Sequence, residues 1–223
     1  MGQRGISRGI SNNPLIPVTI QRVALTPFER AIKRVLDVIV SMTAIVFFSP
    51  LFLIAAAAVR LNNSRQIIFR QRRSGFNAKE FVIFKFRTMT VLEDGSVLTQ
   101  ACRDDLRVTR IGRFLRRSSL DELPQLFNVL RGDMLLVGPR PHALAHDNEY
   151  RVHIADYAFR HHVKPGMTGW AQVNGLRGET PSVELMEKRV EADLWYVNNW
   201  SFWLDLRILW RTVLLWPRQP SAY

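Results

Sequence analysis

Cysteine occurs once in the 223 residues, at Cys102, which excludes an intrachain disulfide and a thiolate zinc site and suits a reducing compartment. Histidine is also sparse. His142, His146, His153, His161 and His162 show no HExxH spacing and read as surface or loop residues. Acidic side chains are outnumbered, 19 against 31 Lys and Arg, and the formal charge of +12 calls for an anionic partner: nucleic acid, an acidic membrane surface or a phosphorylated substrate. Neither GxGxxG nor a Walker loop occurs, which argues against dinucleotide-binding and P-loop chemistry. Zinc-finger, basic-zipper and RNA-recognition motifs are missing too, and nucleic acid is not the expected partner.

Apolar residues are plentiful, 47% of the chain, so a sizeable core can form. Residues 1–29, rich in Gly, Ser, Asn and Pro and carrying Arg4, Arg8 and Arg22, read as a flexible basic arm with no secretory leader. The one long uncharged run, Val38 to Val59, would be about 33 Å long as a helix against a hydrocarbon core of about 30 Å. Its length suits a membrane span. Ser49-Pro50 interrupts it, however, and basic residues flank both ends: Arg30, Lys33 and Arg34 before, Arg60, Arg65, Arg70, Arg72 and Arg73 after. Positive charge marks the cytoplasmic side, so a helix that enters, bends and leaves by the same leaflet is favoured over a straight span, and a buried soluble helix comes third. The Ser49 hydroxyl can cap a carbonyl freed by the proline.

Beyond the run, IIFR and EFVIFKFRTM read as a β-hairpin, and Val91 to Arg103 as a loop or short helix. Lys85 and Arg87, one strand period apart, are either solvated edge charges or a grip for a diphosphate. Arg110, Arg113, Arg116 and Arg117 form a basic helix face, suited to acidic lipid or to substrate. That helix leads to Ser118–Pro141, where Asp121 and Glu122 stand together at a helix entrance. Either Asp121 is the N-cap with Pro124 in the first turn, or Ser119 and Glu122 form a capping box. The plain reading is that the acids only cap a helix, which ends at Gly132 and is followed by a buried strand, Met134 to Val137. Arg140 is held between Pro139 and Pro141 on a stiff loop. A helical stretch then runs to Arg160, and a glycine-rich loop around Trp170, Gln172 and Asn174 can approach a ligand. After a charged helix, Pro181 to Asp193, the end carries Trp195, Trp200, Trp203, Trp210 and Trp216 with Arg207 and Arg211, a composition suited to lipid headgroups.

Taken together, the Lys33-Arg34…Asp37 start, the Ser49-Pro50 break, FKFRTM, SLDELPQLFNVLRGDM, LVGPRP, KPGMTGWAQVNG and the D…Y…WS…D ending resemble the bacterial sugar transferases, small monotopic phosphoglycosyl transferases of polyprenyl phosphate, over about residues 30–216. The likeness is to their compact form, without the extra membrane helices and domain that precede this region in larger members. It implies an α+β, membrane-associated monotopic fold: a re-entrant membrane helix hairpin over 30–66, then a catalytic domain over 67–223 with a small β-hairpin, mostly helical structure and a C-terminal interfacial helix. The implied reaction moves a hexose-1-phosphate from UDP-glucose or UDP-galactose to undecaprenyl phosphate, releasing UMP, with Mg²⁺ as cofactor and a covalent aspartyl intermediate. It is the first membrane step of exopolysaccharide synthesis, on the cytoplasmic face of the bacterial inner membrane. By the same resemblance Asp121 is the nucleophile and Glu122 its partner, both are metal ligands, and Lys85, Arg87, Arg140 and Arg177 bind the donor. Many members read NGR where this chain reads NGLRG, which leaves the register of Arg177 open. A catalytically inactive, basic membrane-bound scaffold is the alternative.

Overall fold

A computed structural model describes residues 25–62, 66–90, 105–178, 180 and 182–215. Cys102, Trp216, most of the basic arm and the segment from Val91 to Arg103, expected as a loop or short helix, lie outside them. Helix α1, Pro27–Phe47, starts earlier than the arm reading allows, because Thr26-Pro-Phe-Glu29 is a capping box. Thr26 Oγ1 accepts from the Glu29 N–H at 3.2 Å and the Glu29 carboxylate accepts from the Thr26 N–H at 2.8 Å. Helix α2, Ser49–Leu61, leaves α1 at 63°. Pro50 has no N–H for the Val46 carbonyl, and the Ser49 hydroxyl donates to that oxygen instead, at 2.8 Å. Among the described residues no single helix is long and apolar enough to cross a membrane, but this bent pair passes the same test together.

Helix α1 is inside out for a helix in water. Its polar stripe Lys33, Asp37 and Ser41 is buried, whereas Ile39, Met42, Val46 and Phe47 are exposed. Lys33 pairs with Asp205, itself bonded by Trp200 Nε1 at 3.0 Å, and Asp37 Oδ1 accepts the Leu136 N–H at 3.0 Å. Arg34, one of the cations before the apolar run, donates to the Val129 and Leu130 carbonyls, both at 2.6 Å, and so caps the end of a later helix.

The hairpin expected from sequence is β1, Ile68–Ser74, antiparallel to β2, Glu80–Phe86, with Arg70 opposite Phe84. Helix α3, Arg110–Arg117, leads through a 3₁₀ turn, Leu120–Glu122, to α4, Gln125–Arg131. Gly132, with φ of 85°, ends α4 where the sequence places its stop. Strand β3, Leu135–Val137, is followed by α5, Leu144–His153, and a second 3₁₀ segment, Tyr157–His162. Part of the glycine-rich stretch expected as a loop is instead strand β4, Gly166–Thr168, parallel to β3, and a short helix α6, Trp170–Val173. Periodicity cannot reveal so short a parallel strand. Helices α7, Val183–Asn198, and α8, Phe202–Leu215, complete the chain. Packing of α1 on α4 and β3, and of α2 on α3 and β2, surrounds a core that includes Leu115, Leu126, Val129, Met134 and Ile208.

Two side-chain expectations hold only in part. His142 and His161 are buried rather than on the surface, because they join a polar cluster with Tyr157, Asp147 and Arg160. The tryptophans also divide: Trp203 and Trp210 face outward, Trp195 is exposed but stacks on Trp170 at 4.6 Å, and Trp200 is in the core.

Candidate active site

Asp121 and Glu122 do not cap a helix. They lie on the 3₁₀ turn, and α4 starts beyond them at Gln125, after Pro124, with no side-chain cap. Ser119 precedes them in the left-handed region, φ 55°, which turns the chain sharply out of α3 and rules out the capping box at this position. Both carboxylates are only 8% exposed. The turn is steadied from α4, where Asn128 acts as a surrogate strand: its Oδ1 accepts the Phe84 N–H at 3.0 Å and its Nδ2 donates to the Val82 carbonyl at 2.6 Å. Strand β2 is thus locked beside the dyad.

The two acids have different surroundings. Glu122 Oε1 accepts from Lys85 Nζ at 2.9 Å, and the Arg140 guanidinium forks across both carboxylate oxygens, reaching Oε2 at 3.1 Å. Arg177 Nη2 is 4.0 Å from Glu122 Oε2 and donates to Ser119 Oγ at 3.0 Å. Asp121 accepts no hydrogen bond from any described residue. Burial raises the Glu122 pKa, but Arg140, Lys85 and Arg177 outweigh it and hold the group well below the usual carboxylate range. Asp121 is pushed up to about 6, by burial first and then by the Glu122 charge, against the pull of Lys85, Arg116 and Arg140. Burial likewise lowers Lys85, against the Glu122 charge. One acid is fixed as a charged anchor, and its neighbour, with no hydrogen bond from the described residues, has a raised pKa, an arrangement that suits a carboxylate nucleophile.

Of the cations expected from sequence, Lys85, Arg140 and Arg177 converge on Glu122, so that Arg177 reaches the dyad despite the inserted Leu176. Arg87 does not join them; it donates to the Met89 carbonyl at 3.0 Å and the Thr90 carbonyl at 2.6 Å, beyond the end of β2. Arg116, read from sequence as part of a basic face, acts electrostatically on Asp121. Arg160, which holds the Arg140 carbonyl, carries no sequence signal at all. Lys85, Arg140 and Arg177, with Arg116 acting nearby, outnumber the two carboxylates and make a positive setting that attracts phosphate. The described residues contain no group of three or more His, Cys, Asp or Glu side chains able to hold a metal. Of the two adjacent carboxylates, Asp121 has oxygens to offer a magnesium ion, which takes one or two protein carboxylates with substrate phosphates and water, whereas Glu122 would have to share oxygens that Lys85 and Arg140 already hold.

Residues 28–219 match the family model described as bacterial sugar transferase. A UDP-glucose:undecaprenyl-phosphate glucose-1-phosphate transferase of Klebsiella pneumoniae is 48% identical over 96% of this chain and 46% of its own length. A protein of the same name from Caulobacter vibrioides is 55% identical over 81% of the chain and 68% of its own length. A UDP-N-acetylgalactosamine-undecaprenyl-phosphate N-acetylgalactosaminephosphotransferase of Aeromonas hydrophila is 38% identical over 84% of the chain and 44% of its own length. The chain spans about half the length of the Klebsiella and Aeromonas relatives.

Proposed function

The chain belongs to the bacterial sugar transferase family, and from that membership we propose that it transfers a hexose-1-phosphate, glucose-1-phosphate first among the candidates, from a UDP-sugar to undecaprenyl phosphate. The observation that carries the reading is the contrast within the dyad: Glu122 clamped by Lys85, Arg140 and Arg177, and Asp121 beside it with no hydrogen bond from the described residues and a raised pKa. A carboxylate oxygen of Asp121 attacks the sugar-bearing phosphorus, the bond from that phosphorus to the bridging oxygen breaks, and UMP leaves with the electron pair. An oxygen of undecaprenyl phosphate then attacks the same phosphorus, breaks the aspartyl bond and returns Asp121 as a carboxylate. Lys85, Arg140 and Arg177 orient the diphosphate and take up the charge that develops on the leaving UMP. Asp121 and Glu122 would hold Mg²⁺ together with the donor, and the bound ion would supply further neutralisation of the diphosphate charge. Arg87 is left outside this machinery. The relatives' names favour glucose as the sugar, and galactose is the competing donor.

The membrane setting rests on the apolar knee of α1 and α2, where Val46, Phe47, Leu53 and Ile54 are exposed, and on the outward Trp203 and Trp210 of α8. The proposed seat is a re-entrant hairpin in the inner membrane, with the dyad on the cytoplasmic side. The test is the half-reaction. Protein supplied with labelled UDP-glucose or UDP-galactose and no acceptor should release UMP in a burst of at most one per site and retain the label; Asp121→Asn should abolish both. UMP release only with acceptor present points to direct transfer. Absence of release from any UDP-sugar leaves a basic membrane scaffold.

A further inference from the structure

The loop that carries Arg140 cannot be held in the usual way. Pro139 and Pro141 remove two backbone N–H donors from Gly138-Pro139-Arg140-Pro141, so its fixing falls largely to carbonyl oxygens. Three of its four are met from outside the loop: Pro139 O by the Gly166 N–H at 2.8 Å, Arg140 O by Arg160 Nη2 at 2.7 Å, and Pro141 O by Arg73 Nη1 at a long 3.5 Å. The bond to the Arg140 carbonyl is the one at the residue whose guanidinium forks Glu122. Arg160 is 2% exposed and is itself held by Asp193 of α7, Nη2 to Oδ2 at 2.7 Å, while its Nη1 donates to His142 Nδ1 and to Tyr157 Oη. A guanidinium offers only donors, so His142 Nδ1 must be an acceptor; burial first, and then the Arg160 charge, hold that imidazole neutral.

The geometry points to Arg160 as a positioning residue for donor use: braced by Asp193, it sets the Arg140 carbonyl and through it the Arg140 fork on Glu122. This assignment rests on the transferase reading above. Burial of one arginine to hold a backbone oxygen is costly, the more so because its Nε finds no partner among the described residues, and the Asp193 carboxylate offsets part of that cost. The arrangement links α7, remote from the dyad in sequence, to the phosphate-facing cation.

A double-mutant cycle between Arg160→Lys and Arg140→Lys tests the assignment, read as single-turnover UMP release with thermal unfolding in parallel. An ammonium cannot reach the Arg140 carbonyl, Asp193 and His142 together, so Arg160→Lys should slow release about tenfold in the wild-type background. If Arg160 acts through Arg140, the same change should cost less than about twofold once Arg140 is already Lys. Equal losses in both backgrounds would overturn the assignment and leave Arg160 a purely structural residue. Should Arg160→Lys fail to fold, Asp193→Asn replaces it in the cycle, with the same coupling expected and equal losses again overturning it. A wild-type protein that releases no UMP defeats the transferase reading instead; the cycle read on UDP affinity then decides between coupled and independent losses.

Discussion

At the scale of single residues, Asp121 and Glu122 should respond in opposite directions to the loss of their charge. Burial and the neighbouring carboxylate raise Asp121 to about 6 from 3.8, so its ionised form is disfavoured in the folded state relative to the unfolded chain. The stabilising effect of a bound proton is complete below the unfolded pKa and is lost as pH rises through the folded value near 6. At pH 7 Asp121→Asn should therefore raise stability by on the order of 1–3 kcal/mol, and the gap from wild type should close below about pH 4. Glu122→Gln leaves Lys85, Arg140 and Arg177 without their shared anion and should lower stability by roughly 3–5 kcal/mol at the same pH. Thermal unfolding of both variants across pH 4–7 decides the matter; a destabilised Asp121→Asn would mean that its carboxylate has a favourable partner after all.

Among the elements, the β3–β4 pair sets the height of the Arg140 loop, because two backbones meet there with no room for a side chain. A methyl group on Gly166 would stand 2.0 Å from the Gly138 nitrogen, and backbone on that side cannot swing away. Gly166→Ala should cost about 3 kcal/mol and reduce UMP release at least about tenfold, through displacement of the loop that follows Gly138. Gly175 is the control: its φ is 85° but a methyl there meets nothing within 4 Å, so Gly175→Ala should cost only about 1 kcal/mol with little effect on release. Measurement of melting temperature and release for the two variants separates close approach from backbone freedom. Equal behaviour of the two would show that the β3–β4 contact does not position Arg140.

For the whole molecule, the question is what keeps the apolar hairpin bent. The Ser49-Pro50 break supplies the corner, but the ends are tied elsewhere: Lys33 to Asp205, Arg34 to the end of α4, and α2 to α3 and β2. A straight helix would carry α2 away from those partners. Pro50→Leu, although it removes a helix penalty of about 3 kcal/mol, should leave both ends on the cytoplasmic side. Single cysteines placed before Lys33 and after Arg60 in a Cys102→Ser background should stay shielded from an impermeant reagent in intact cells, with or without Pro50. External labelling of wild type removes the hairpin, and labelling only of Pro50→Leu would make the local break decisive. What could be read from the chain was local: the dyad as neighbouring letters, the stop at Gly132, the alternating strands of the hairpin, the proline break with its serine cap. Each depends on a few adjacent residues, whose backbone preferences hold almost anywhere. The family motifs added which residues to watch, but not where they meet. Which cations meet Glu122 was settled across 37 residues for Lys85 and 18 for Arg140, while Arg177 reaches the same turn from 58 residues beyond Ser119. Arg87 looked equivalent to Lys85 by strand period and turned to its own loop, because β2 ends before it. His142, Trp200 and Arg160 went inside because the fold supplied hydrogen-bond partners there, and that supply exists only once distant segments have packed.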